Sequence, residues 1–167
     1  EDVRAGVAAH PPGDARWSSR FSCHMLKLAW ALEGEHGAQL LDAVALVQDE
    51  DGRIRNRTGD ASTYVHAACY ALEGLLRLRE IEALRSRVEP MLVRGVAWLA
   101  TLQAADGTLP SSLDPEGNPS GPRPSDIIAQ SLRLWSRVEP ETHAEARQRA
   151  LGALARRQTP EGAIAYA

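Results

Sequence analysis

Arg94-Gly95-Val96-Ala97-Trp98-Leu99-Ala100-Thr101-Leu102-Gln103-Ala104-Ala105-Asp106-Gly107 reads as the end of an amphipathic helix running into a Gln-x-x-Asp-Gly turn. Weaker copies flank it, Gln48-Asp49-Glu50-Asp51-Gly52 before and Gln158-Thr159-Pro160-Glu161-Gly162 after. The three glutamines are spaced 55 residues apart, and a fixed period of this size is the signature of a repeat architecture. Glycine suits the end of such a helix because it enters the left-handed region without penalty.

Working outward, the apolar positions recur at three- and four-residue spacing, the helical period. Phe21, Met25, Leu28 and Leu32 form a first stripe beginning near Ser18; Leu40, Leu41, Val44 and Val47 form a second. Tyr64, Ala68, Ala71, Leu72, Leu75 and Leu78 make a third, with Asp60 or Ser62 as its expected cap. Val88, Leu92, Val96, Leu99 and Leu102 make the fourth, with Pro90 expected in its first turn. Ile127, Ile128, Leu132 and Trp135 follow, capped by Ser125 or Asp126, and Pro140 is expected to open a sixth helix running to about Gln158. Ser86-Arg87-Val88-Glu89-Pro90 recurs as Ser136-Arg137-Val138-Glu139-Pro140, read as a second mark of duplication.

The pattern predicts an all-α fold of three antiparallel hairpins, at about 18–48, 61–104 and 125–158. They form one domain over 18–167, after an extended lead-in at 1–17 that carries Pro11, Pro12 and Gly13. Short links alternate with long ones at 49–60 and 105–124, so the long loops are expected together at one end. That end also carries the N-termini of the first, third and fifth helices, whose amides and dipoles favour anions.

With 167 residues the chain can bury a real core. A net charge of −3 argues against a general nucleic-acid binder, and no apolar run approaches the ~18 residues that span a bilayer. Two cysteines, Cys23 and Cys69, sit in helical patterns, which suggests reduced thiols and a cytoplasmic setting. The first residue is Glu1 rather than Met, consistent with an upstream piece.

The Arg94…Gly107 stretch resembles the repeat that ends outer helices in α/α-toroid proteins, such as squalene–hopene cyclases and protein prenyltransferase β subunits. Ala43 and Ala153 replace Trp98 in the outer copies. Over residues 20–135, Cys23-His24-Met25-Leu26, Tyr64-Val65-His66-Ala67, Tyr70…Leu76 and Asp106-Gly107-Thr108-Leu109-Pro110 are similar to uncharacterised bacterial, polysaccharide-associated toroid proteins. The resemblance implies a partial toroid, a half-ring completed as a homodimer or by flanking repeats, and a carbohydrate-directed role. The cyclases' Asp-x-Asp-Asp acid and the prenyltransferases' zinc set have no counterpart here.

The candidate catalytic group is His66 with Tyr64 and Asp60, near the start of the third helix. Arg53, Arg55 and Arg57 alternate along a loop and are expected to project to one side, where they would grip an anionic carbohydrate. Asp106 and Asp126 are candidate substrate contacts, weighed against turn and cap roles. His66 and Cys69 with Cys23 and His24 offer zinc-type donors. Adjacent helical residues point about 100° apart, so no metal and no cofactor is assigned. Two other readings stand beside the glycan one. A helical repeat module would hold a protein partner; an isoprenoid cyclase or transferase would need an aromatic-lined cavity, for which aromatic residues at 5% are few.

Overall fold

The computed structural model describes residues 37–56 and 59–166, without the side chains of 39, 40 and 43. The lead-in, the first expected helix and Arg57 lie outside the described residues. Among the described residues are five helices: α1 (Gly37–Ala45), α2 (Val65–Leu78), α3 (Glu82–Thr101), α4 (Ser125–Arg137) and α5 (Ala144–Arg156). Three two-residue strands, β1 (Thr63–Tyr64), β2 (Ser112–Leu113) and β3 (Pro119–Ser120), form an antiparallel sheet in that order.

Helix α2 packs against α3 and α4, α4 packs against α5, and α1 lies on α3. Ala68, Ala71, Leu72, Leu75 and Leu78 of the α2 stripe are all buried, as are Val88, Leu92, Val96 and Leu99 of α3. Each buried Leu or Val contributes about 1.5–3 kcal/mol of transfer free energy, which is what makes the stripes meet. Trp135 is fully buried and its indole Nε1 donates to the Val96 carbonyl at 3.2 Å, fastening α4 to α3. Trp98 is also buried, so both tryptophans serve packing.

The Gln-x-x-x-Gly turn has the same backbone in all three copies. The glycine amide donates back to residue 49, 104 or 159, and Gly52, Gly107 and Gly162 have φ of 96°, 84° and 89°. In the first two copies the turn seats a later helix, α3 for the first and α5 for the second. Gln48 Nε2 donates to the Met91 carbonyl of α3 at 2.9 Å, and Gln103 Nε2 to the Ala146 carbonyl of α5 at 3.0 Å. A Cβ on Gly52 would stand 2.2 Å from the Arg94 carbonyl oxygen, and one on Gly107 2.1 Å from that of Arg149. The backbones approach so closely that only glycine fits.

Several expectations are corrected. The long loops are not structureless: Thr63 pairs with Leu113, and Leu113 with Pro119. So an all-helical description is incomplete. Helix α3 begins at Glu82, which puts Pro90 in its interior rather than its first turn. Proline there withholds one amide from the Ser86 carbonyl; both residues are exposed, so water can satisfy that oxygen. The cap of α2 is Tyr64 and that of α4 is Pro124, neither with a side-chain cap bond. Asp60 accepts from the Ser62 amide at 2.9 Å and from the Ser62 hydroxyl. Pro140 precedes α5, which starts only at Ala144. The two Ser-Arg-Val-Glu-Pro copies therefore occupy different places, one inside α3 and one leaving α4, and are not structural equivalents.

Candidate functional site

The loop expected to carry arginines and the loop rich in prolines meet at one end of the helices. Arg53 joins them: its Nε donates to Thr63 Oγ1 at 3.0 Å, and its Nη2 to the Asp114 carbonyl at 2.7 Å and to that of Ala61. Nη1 reaches the Pro115 carbonyl at 3.4 Å. Buried Thr63 in turn donates to the Ile54 carbonyl at 3.0 Å. Arg55 turns elsewhere, pairing with Asp49 at 2.9 Å and donating to the Leu46 carbonyl at 3.3 Å. Arg53 and Arg55 do not share the expected common projection, because loop groups hold the first and Asp49 and the Leu46 carbonyl hold the second; Arg57 lies outside the described residues.

His66 and Asp126 are the second residues of α2 and α4. The two helices start at the same end, so these equal positions come together: His66 Nδ1 lies 3.1 Å from Asp126 Oδ2. The other carboxylate oxygen of Asp126 accepts from the Ile127 amide at 2.8 Å, which fixes its orientation. A carboxylate in the first turn of a helix is also favoured by the unpaired amides there. The imidazole is flanked by two tyrosines. Tyr70, one helical turn on, has its ring centroid 4.6 Å away, and Tyr64 lies stacked at 6.2 Å. Tyr166 belongs to the same neighbourhood: its carbonyl accepts from the Ser125 amide at 2.7 Å, and the Asp126 charge raises its phenol pKa. With Nδ1 turned to Asp126, the other ring nitrogen of His66 is Nε2, and that atom is buried.

The remaining candidates fall apart from this pair. Asp60 serves the 60–62 turn that leads into β1. Asp106 belongs to the Gln103 turn, accepting from the Thr108 amide at 3.0 Å and the Thr108 hydroxyl at 2.7 Å, bonds that lower its pKa. Cys69 is fully buried 3.8 Å from Ser131 Oγ, and burial pushes its thiol pKa up to about 12. Among the described residues no three His, Cys, Asp or Glu side chains are grouped to hold a metal ion. No helix of the described residues is long and apolar enough to cross a membrane.

Sequence reasoning named His66 and Asp126 separately and missed that they pair; it also missed Tyr70. The available signal was His66–Tyr70 at i,i+4 on one helix face. A second feature it missed is a cavity of about 310 Å³ near the other ends of α2 and α4, lined by Glu73, Arg77, Arg79, Arg133 and Arg137 among others. There the buried Glu73 carboxylate meets Arg133 at 3.3 Å.

No protein-family model matches the chain, and no curated protein matches it. Among solved structures, one described as a polysaccharide lyase is similar over 88% of this chain, with a TM-score of 0.63 and 14% sequence identity. The chain spans 49% of that protein's length. At this identity the likeness is one of fold.

Proposed function

We propose that the chain is a carbohydrate-directed α/α-toroid domain, a partial ring of three hairpins that binds or processes an anionic glycan at its long-loop end. The observation that carries this reading is the His66–Asp126 pair at 3.1 Å, set between two tyrosine rings where the long loops converge. The fold likeness to a polysaccharide lyase supports the substrate class. In this reading His66 takes the proton from a sugar carbon next to a carboxylate, the electron pair left behind forms a double bond to the neighbouring carbon as the glycosidic C–O bond there breaks, and water protonates the departing oxygen; Asp126 holds the imidazole in the required tautomer, and Tyr64 and Tyr70 offer ring faces to the sugar. Arg53 and Asp60 keep the mouth in shape, and the helix N-termini favour the substrate's negative charge.

The test is a panel of uronic-acid oligosaccharides, with binding followed by calorimetry and elimination by the ultraviolet absorbance of the unsaturated product. His66→Ala is expected to abolish turnover and weaken binding at unchanged helical circular dichroism. Asp126→Asn is expected to slow turnover about 10²-fold or more, the scale of a positioned acid–base group. A parent chain that binds none of the panel, or a His66→Ala variant that binds and turns over like the parent, would overturn the reading.

A further inference from the structure

Helix α2 is buried over most of its surface. Ten of its fourteen residues are buried, and the four that are not are His66, Tyr70, Leu76 and Arg77. His66, Tyr70, Glu73 and Arg77 follow the i, i+4, i+7, i+11 spacing of a single helical face. Asp126, Gln130, Arg133 and Arg137 repeat that spacing on α4. The two rows meet in register: His66 lies 3.1 Å from Asp126, and two turns on Glu73 lies 3.3 Å from Arg133. Arg77 and Arg137 finish the rows in the last turns of α2 and α4, and both line the cavity of about 310 Å³.

One polar row thus runs from the long-loop end to the opposite end, where it finishes in positive charge. Among the described residues four arginines and two glutamates line the cavity, a surplus of two positive charges. Guanidinium groups gathered round a concave space focus a positive potential there. Local needs account for two of the four. Arg79 serves the end of α4, donating to the Arg137 carbonyl at 3.5 Å, and pairs with Glu89 at 3.6 Å. Arg133 accompanies Glu73, a carboxylate too deeply buried to stand without a cation beside it. Arg77 pairs with exposed Glu80 three residues on, a contact weak enough for another oxyanion to replace. Among the described residues no carboxylate pairs with Arg137.

We infer that this cavity is a second oxyanion site, where Arg77 and Arg137 grip an acidic group of the glycan while another unit of the same chain lies at His66. The identity of the ligand rests on the carbohydrate-directed function proposed for the chain; the cationic cavity does not. Guanidinium forks match the paired oxygens of a carboxylate or sulfate. The cavity volume of about 310 Å³ falls at the lower end of small-ligand sites, roughly 300–1,000 Å³, and suits a single sugar ring rather than a folded partner. Eleven residues of helix separate His66 from Arg77, about 16 Å of rise. The site therefore favours chains long enough to reach from one end of the row to the other.

Calorimetry on the full chain, with uronic-acid oligosaccharides of graded length and with inorganic sulfate, tests this. The parent's affinity is expected to step up about tenfold or more once the oligosaccharide spans about 16 Å. Arg77→Gln combined with Arg137→Gln, at two exposed positions, is expected to remove that step at unchanged helical circular dichroism. The same variant should bind the shortest oligosaccharides as the parent does, and should raise KM on the longer ones with kcat unchanged. Affinity that does not grow with length, or a double variant that binds the longest oligosaccharide like the parent, would overturn the inference whatever His66→Ala does. Sulfate bound equally by parent and double variant would also overturn it. A parent that turns over nothing yet shows the length step, lost in the arginine variant, upholds this site and refutes His66 as a base.

Discussion

The close approach of Gly107 to helix α5 can be separated from the conformational demand of the turn. Gly107 and Gly59 have nearly the same positive φ, 84° and 81°. A Cβ on Gly59 would meet nothing within 4 Å, whereas one on Gly107 would meet the Arg149 carbonyl oxygen at 2.1 Å and its carbon at 2.6 Å. Gly59→Ala therefore isolates the cost of a left-handed alanine, about 1–2 kcal/mol. Gly107→Ala adds the displacement of turn and helix by roughly 1 Å, an overpacking cost of about 1–3 kcal/mol. It also disturbs the bond from Gln103 Nε2 to Ala146, about 0.5–1.5 kcal/mol. For a chain of this size each kcal/mol lowers the midpoint by about 2–4 °C. Thermal unfolding followed by circular dichroism should show a loss of about 2–8 °C for Gly59→Ala and a larger one, about 5–26 °C, for Gly107→Ala. Gly52→Ala, 2.2 Å from the Arg94 carbonyl, should follow Gly107. Equal losses for Gly59→Ala and Gly107→Ala would refute the idea that the turn seats the next helix through that glycine.

Arg53→Lys should cost about 1–3 kcal/mol in denaturant titrations and should not be rescued by the retained charge, because a point ammonium cannot serve Thr63, Ala61 and Asp114 together. Burial lowers the His143 pKa, with Glu139 opposing in part, so the unfolded chain binds the proton more readily. This contribution is whole above the ordinary histidine pKa near 6.5 and is lost as pH falls through the lowered folded value. His143→Gln should accordingly flatten the fall of the unfolding midpoint between about pH 7 and pH 5. At pH 8 a thiol with a pKa of about 12 is thiolate in about one molecule in 10⁴, so alkylation of Cys69 in the folded protein should run about 10³-fold slower than in urea. Peptide mapping after timed iodoacetamide exposure reads that rate for Cys69 separately from Cys23.

The turn was legible in the sequence because its chemistry is local: a glycine at positive φ and a glutamine a fixed distance before it. The apolar stripes of α2 and α3 were legible because 3.6-residue periodicity survives in both. Two-residue strands carry no period, which is why the pairing of Thr63 with Leu113 left no trace. Pro90 misled because a proline in an exposed helix interior and one in a first turn look alike when the preceding residues are polar. The His66–Asp126 contact is set by where α2 and α4 begin relative to each other. Helix starts fixed by β1 and by Pro124, rather than by side-chain caps, gave no local cue to it.

The link between successive hairpins engages main-chain atoms of the receiving helix: a carbonyl accepts from Gln48 or Gln103, and another faces a glycine. Main-chain atoms are the same whatever side chain follows. An ancestral duplicate of the unit could thus drift widely on its outer helix, exchanging Trp98 for Ala153 at the matching position, and still be gripped in the same register. Divergence of the copies and constancy of their assembly are compatible for that reason.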